Sequence, residues 1–224
     1  MSRPWRSLRK EFRSAFRTIL SGKDDDRLKE AALPAYAHVN PVIAGIFWGR
    51  LSLVLEQVRK MGVRKVLDFG CGAGILSEAL AERGLDVTAL DTDFFALDEV
   101  RRLVDFSPAI RFVNLDLEKA GLPAESFDAV LTLDVLEHVP DPAECLEMLF
   151  RVLRPGGVVV ISGPTENFLY RIGRSLAGRQ FHGHYHKRGI REVEKAAESI
   201  ADRVYTASIP LCLTLFRITV FRKR

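Results

Sequence analysis

Val66-Leu67-Asp68-Phe69-Gly70-Cys71-Gly72-Ala73-Gly74 is the stretch whose reading decides the fold. Val66–Phe69 reads as a short apolar strand, and three glycines follow it at alternate positions. Glycine lets the chain turn tightly and approach a ligand closely, and a helix read over Ile75–Arg83, stopped by Gly84, would offer free N–H groups at its start. The spacing is G-x-G-x-G; in the G-x-G-x-x-G of dinucleotide sites the third glycine would fall on Ile75. The next strand, Asp86–Leu90, runs into Asp91, 23 residues after Asp68, where a carboxylate is placed to accept hydrogen bonds from both hydroxyls of a ribose. A nucleoside-bearing cofactor is the expectation.

Outward from this stretch the pattern alternates strand and helix, the signature of a parallel sheet covered on both faces. Strands read at Ile110–Asn114, Phe127–Leu133 and Val158–Ser162, with helices at about 94–104 and 142–153. A late helix at about 189–200 leads to strands near 203–208 and 213–222. Upstream, Asn40-Pro41 supplies an N-cap and first-turn proline for a helix running to Met61 before Gly62. Trp5, Leu8, Phe12, Phe16 and Ile19 recur at three- or four-residue steps among Arg6, Arg9, Lys10, Arg13 and Arg17. Residues 1–20 therefore read as a basic amphipathic helix, suited to an anionic membrane surface, to a partner groove, or to packing on its own domain. With the polar linker Ser21–Asp26, the expected organisation is a helix and linker over 1–26 and one α/β domain with a helical cap over 27–224.

The residues also carry a resemblance. Val66–Gly74, Ala89-Leu90-Asp91, Asn114-Leu115-Asp116, Phe127-Asp128-Ala129-Val130, Leu136-Glu137-His138-Val139 and Leu153-Arg154-Pro155-Gly156-Gly157 resemble, in order, the motifs of class I S-adenosylmethionine-dependent methyltransferases. Gly74-Ile75-Leu76 and Leu136-Glu137-His138-Val139-Pro140-Asp141-Pro142 are similar to the ubiquinone-biosynthesis O-methyltransferase type. The resemblance implies a three-layer α/β Rossmann-like fold, its seven-stranded sheet in order 3-2-1-4-5-7-6 with the last strand antiparallel. It implies that Gly70, Gly72 and Gly74 meet the methionine part of S-adenosylmethionine. By the same resemblance Asp91, with Thr92 beside it, meets the ribose, Asp116 and Leu117 the adenine edge, and Leu133 with Asp134 the far wall beneath the amino acid. Asp68 would orient the loop and the methionine ammonium. One departure stands out: the arginine expected soon after the Asn-Pro pair is Ala44 here.

The overall charge of +4 does not speak for nucleic acid. Residues 1–20 hold six Lys/Arg against one Glu, and Arg222, Lys223 and Arg224 add three cations, so the body between is net acidic. No basic stripe interleaved with aromatics appears, and no nucleic-acid partner is expected. Cys71, Cys145 and Cys212 have neither metal-ligand nor disulfide-scaffold spacing. A basic start without an apolar segment and cleavage site reads as no secretory signal, so a cytoplasmic place, peripheral to membrane through residues 1–20 at most, is expected. The uncharged run Ala31–Gly49 is broken by Pro34, His38, Asn40 and Pro41 and is not read as a span.

Methyl transfer from a sulfonium is one in-line displacement, and a base is needed only to take the proton of a hydroxyl acceptor. His138, after the fourth strand, is the first candidate, against a role in structuring the next helix. His184 is the second; in Phe181-His182-Gly183-His184-Tyr185-His186 three alternating histidines fit a pocket, a metal site or a solvated loop, and no metal is assigned. Glu137 reads as an acid, a divalent-ion ligand or, by preference, a helix-start carboxylate. Basic ends and apolar stretches at Val42–Trp48 and Ile209–Phe216 point to a small, apolar or membrane-held acceptor. The alternatives are a nicotinamide-dependent oxidoreductase and a cofactor-binding scaffold without catalysis.

Overall fold

Parallel strands feeding helices must stack into a sheet buried on both sides, and this sheet does so in a computed structural model. The structure describes residues 2–23, 25–165, 189–210 and 214–224. Strands β1 (Lys65–Phe69), β2 (Asp86–Asp91), β3 (Ile110–Asn114), β4 (Phe127–Leu133), β5 (Leu153–Pro164), β6 (Ala201–Ile209) and β7 (Phe216–Lys223) form one sheet in order β3-β2-β1-β4-β5-β7-β6. The first five are parallel, and β7 runs antiparallel between β5 and β6. The implied fold and strand order are both present.

Helices α4 (Pro41–Met61), α5 (Ile75–Ala81) and α6 (Phe95–Arg101) pack with one face; α7 (Pro142–Val152) and α8 (Ile190–Ile200) pack with the other. Their ends follow sequence chemistry. The Asn40 side chain accepts from Val42 N–H and Gly62 closes α4 at φ 64°, while Asp141 accepts from Ala143 and Glu144 N–H at the start of α7. The strand read at Val158–Ser162 is the middle of a longer β5, which begins at Leu153 opposite Phe127 across a register shift.

Three more helices, α1 (Trp5–Gly22), α2 (Asp26–Glu30) and α3 (Leu33–Ala37), form the cap; the last two were not legible as helices. The amphipathic reading of α1 holds, but its apolar stripe does not face outward. Leu8, Phe12, Ala15, Phe16 and Ile19 are buried in the same cluster as Trp48 and Val54 of α4 and Leu97 of α6. Insertion of that stripe into a bilayer would require the cap to come apart, so membrane contact through the apolar face of residues 1–20 is replaced by packing. Helix α4 is long and apolar enough to cross a membrane by length and composition; here it lies against the sheet with Ala44, Trp48, Leu51, Val54 and Val58 buried.

Candidate functional site

At the carboxyl ends of β1, β2 and β4 lies a cavity of about 370 Å³, within the range of small-molecule sites. Its floor is the glycine loop. Gly70 and Cys71 N–H both donate to Leu90 O (2.8 and 3.1 Å), pinning the turn onto β2. Gly70 sits at φ 74°, and a Cβ there would overlap the Val135 side chain. A side chain is thus excluded by both backbone and neighbour. Gly72 N–H donates to Asp91 Oδ2 (2.8 Å), so the loop holds the carboxylate that the second strand delivers. Its other oxygen accepts from Asp93 N–H (3.2 Å).

Asp68, at the base, is buried and accepts from Ser77 Oγ at 2.5 Å. Burial pushes its carboxyl up to about 7; the Ser77 hydrogen bond opposes this and the Asp91 charge adds to it. Burial likewise raises Asp91, against the Gly72, Asp93 and Thr92 N–H groups. The upper wall comes from the cap: Glu30, Ala31, Ala32 and Tyr36 line the cavity, and Ala31 faces Gly72. Ala32 turns there at φ 58°, in the left-handed region.

The sequence reading missed Arg50. This residue of α4 is 1% exposed and lines the cavity. Both its terminal nitrogens donate to the two oxygens of Asp134, Nη1 at 2.6 Å, and its plane lies over the Phe216 ring at 4.5 Å. Burial works against its charge, but Asp134 and Tyr36 outweigh this and hold its pKa above the usual value. Asp134 follows β4 at φ 57°, its N–H donating to Ser162 O at 2.8 Å. Ala44, where the resemblance places an arginine, is buried in the core, and six residues later Arg50 brings a guanidinium to the cavity wall. The signal was present: Arg50 is the one charge on a helix face otherwise formed by Ala44, Trp48, Leu51 and Val54.

Of the residues expected to hold a cofactor, Asp68, Gly70, Gly72, Asp91 and Leu133 line the cavity, and so does His138 at its exposed rim. Gly74 does different work: it caps α5 at φ 75°, packed where a Cβ would meet Phe106 and Leu97. Thr92, Asp116 and Leu117 are not part of the cavity wall; Asp116 is exposed and pairs with Lys119 at 2.7 Å. Glu137 is buried beside Gly163, and the start of α7 is capped by Asp141, so the helix-start reading of Glu137 does not hold. His184 and its neighbouring histidines lie outside the described residues, among which no cluster of metal-ligating side chains occurs.

The cavity fits S-adenosylmethionine chemically. It is walled by five carboxylates (Glu30, Asp68, Asp91, Asp93, Asp134) against two guanidiniums, Arg27 and Arg50. That balance suits a ligand with an ammonium and a sulfonium, and a buried arginine suits its single carboxylate.

Comparison with known proteins agrees. A family described as "Methyltransferase domain" matches residues 67–161. The ubiquinone biosynthesis O-methyltransferase of Psychrobacter arcticus is 36% identical over 150 residues, covering 62% of this chain and 58% of the relative. The enzyme of that name from Pseudomonas aeruginosa (strain UCBPP-PA14) is 40% identical over 121 residues, covering 53% and 51%. The chain thus spans little more than half the length of these curated relatives. Among solved structures, the N-methyltransferase NodS from Bradyrhizobium japonicum WM9, in complex with S-adenosyl-L-homocysteine, superposes with TM-score 0.65 at 21% identity, covering 98% of this chain and 97% of that one. The [4+2]-cyclase SpnF superposes at 0.59 with 15% identity, covering 77% and 79%. The fold by itself therefore does not fix a reaction. Motifs, cavity and relatives point the same way: residues 67–161 are similar to a methyltransferase domain, set in a fold shared with S-adenosylmethionine-dependent methyltransferases.

Proposed function

We propose that the protein transfers a methyl group from S-adenosylmethionine to a hydroxyl of a small, apolar acceptor. The observation that carries this reading is the acidic cavity at the strand ends, with Asp68 and Arg50 on its wall. The names of the relatives support oxygen as the atom methylated.

When bound, the cofactor supplies an electrophilic methyl carbon. The chain's own part is to hold the partners in line and exclude water. Asp91 would accept from the ribose hydroxyls while Gly72 N–H keeps it oriented. Arg50 would meet the carboxylate of the amino acid and Asp68 its ammonium. His138, on the rim, stands where an acceptor hydroxyl would enter, and its imidazole is the candidate base for that proton. His184 stays a second candidate for that role. The carboxylates favour the sulfonium over the uncharged thioether that replaces it, which helps the product leave.

Calorimetric titration with S-adenosylhomocysteine and with NAD, followed by methyl release across phenol, catechol, amine and thiol acceptors, tests the reading. Binding of the homocysteine ligand and turnover on hydroxyl acceptors are expected. NAD binding in its place, or cofactor binding without release on any acceptor, would sink it.

The raised Asp68 carboxyl adds a pH dependence. Its folded value of about 7 lies above the 3.8 of an unperturbed aspartate, so the folded state holds this proton more tightly. The stability it contributes is full below pH 3.8 and is lost as pH rises through about 7. A ligand ammonium needs the anion. Affinity for S-adenosylhomocysteine should therefore rise between pH 6 and pH 8, with a proton released on binding at the lower pH. Calorimetry in buffers of different ionisation enthalpy reads both effects, and Asp68→Asn should flatten them.

A further inference from the structure

With its apolar stripe buried, α1 still presents charge. At 100° per residue, Arg6, Arg9, Lys10, Arg13 and Arg17 fall within about 100° of one another on one flank. Glu11 lies on the other flank, ion-paired with Arg3 at 3.0 Å. None of the five cations enters an ion pair among the described residues. They crowd one another: after burial, the charges of Arg13 and Arg6 push the Arg9 guanidinium below its usual pKa.

The basic flank is fastened to one particular loop. Arg13 Nη2 donates to His38 O at 3.1 Å, Arg17 Nε to Ala37 O at 3.4 Å, and Arg9 lies over the Trp48 ring at 5.4 Å. That loop and the first turn of α4 carry the two most exposed large apolar side chains among the described residues, Val39 at 84% and Val42 at 67%. Between Asn40 and Arg50 the chain has no charged residue. The groove between Arg17 and Val39 holds one carboxylate, Asp25, already paired with Arg27 at 2.8 Å, beside Lys23 and Lys29. An apolar tip flanked by an excess of cations matches a surface of phosphates over hydrocarbon.

We infer that Val39 and Val42 with the basic flank of α1 form a docking surface for an anionic lipid bilayer, the valines entering between acyl chains and Arg6, Lys10, Arg13 and Arg17 meeting lipid phosphates. This is a different membrane contact from one made by the apolar face of α1, which leaves the folded cap intact. It also sits next to the cavity: Tyr36, on the cavity wall, is three residues from Val39. The inference does not rest on methyl transfer, because its readout is partition of the intact chain.

The experiment is co-sedimentation of the full chain with vesicles of phosphatidylglycerol mixed equally with phosphatidylcholine, and with phosphatidylcholine alone, at low and high salt. Binding to the mixed vesicles is expected at least about tenfold above the neutral ones and weakened by salt. Val39→Asp/Val42→Asp should lower it by about tenfold or more, and Arg6→Glu/Lys10→Glu, both at exposed positions, should remove the preference for anionic lipid. Both variants should keep their thermal melting and S-adenosylhomocysteine affinity, which separates failure here from failure of the cofactor reading. Equal binding to both vesicles, no binding to either, or full binding by the valine variant would overturn the inference. A dimer in light scattering that the valine variant abolishes would overturn it too, assigning the tip to a second copy of this chain.

Discussion

Replacing Arg50 with methionine is expected to weaken S-adenosylhomocysteine binding by about 10- to 100-fold, the loss of one charge-assisted hydrogen-bonded contact to a carboxylate. Methionine keeps the apolar stem and leaves contact with Phe216, so the helix face should stay packed. Asp134 loses its partner but is partly exposed, its side chain 24% accessible, and water can replace the guanidinium. Calorimetry with S-adenosylhomocysteine and with adenosine distinguishes a ligand contact from a structural one. If Arg50 meets the amino-acid carboxylate, adenosine should bind both proteins equally. A parallel loss for both ligands would mean that Arg50 only props the wall, and the proposed contact would be wrong.

The second large effect is one of stability, far from the chemistry in sequence but next to it in space. Arg3 donates to Glu78, Glu82 (2.5 Å), Glu11 (3.0 Å) and the Asp105 carbonyl (2.9 Å). Glu78 belongs to α5, directly after the glycine loop, and its side chain is 0% exposed. Burial raises its pKa, opposed by Ser107 N–H and by Arg3. Removing one partner of a buried pair costs about 3–5 kcal/mol; Arg3 is partly solvated and Ser107 N–H remains, so Arg3→Ala should cost about 2–3 kcal/mol. In a chain of this size that lowers the melting temperature by roughly 5–10 °C at pH 7. Glu78→Gln in the Arg3→Ala background should restore much of the loss, because the stranded charge is gone. A melt unchanged by Arg3→Ala would refute the argument.

What could be read from the sequence divides along local and non-local lines. Strands β1 to β4, helix α4 and the glycine turn follow from short-range pattern and capping residues such as Asn40 and Gly62, and their positions were legible to within a residue or two. Asp91 was legible for the same reason: a carboxylate that ends a parallel strand must emerge at the ligand edge. Asp116, two residues beyond the end of β3, turns instead to Lys119, and the two form their own exposed turn. A lone charge on the apolar face of α4 marked Arg50, but where it and the cap residues would end up was not legible, since no local period says which helix will roll over which strand end. The amphipathic stripe of α1 told that a face must be buried, but not against what.

The wall of the cavity is assembled from stretches that are far apart in the chain, beginning with Arg27 to Tyr36 and ending with Leu133 to His138. A ligand that touches both ends works as a rivet between cap and sheet, and part of its binding free energy goes into holding them together. Occupancy should therefore slow proteolysis in the polar stretch after α1, long before any methyl group moves, and grafting this sheet onto a foreign cap would remove the cofactor site with the graft.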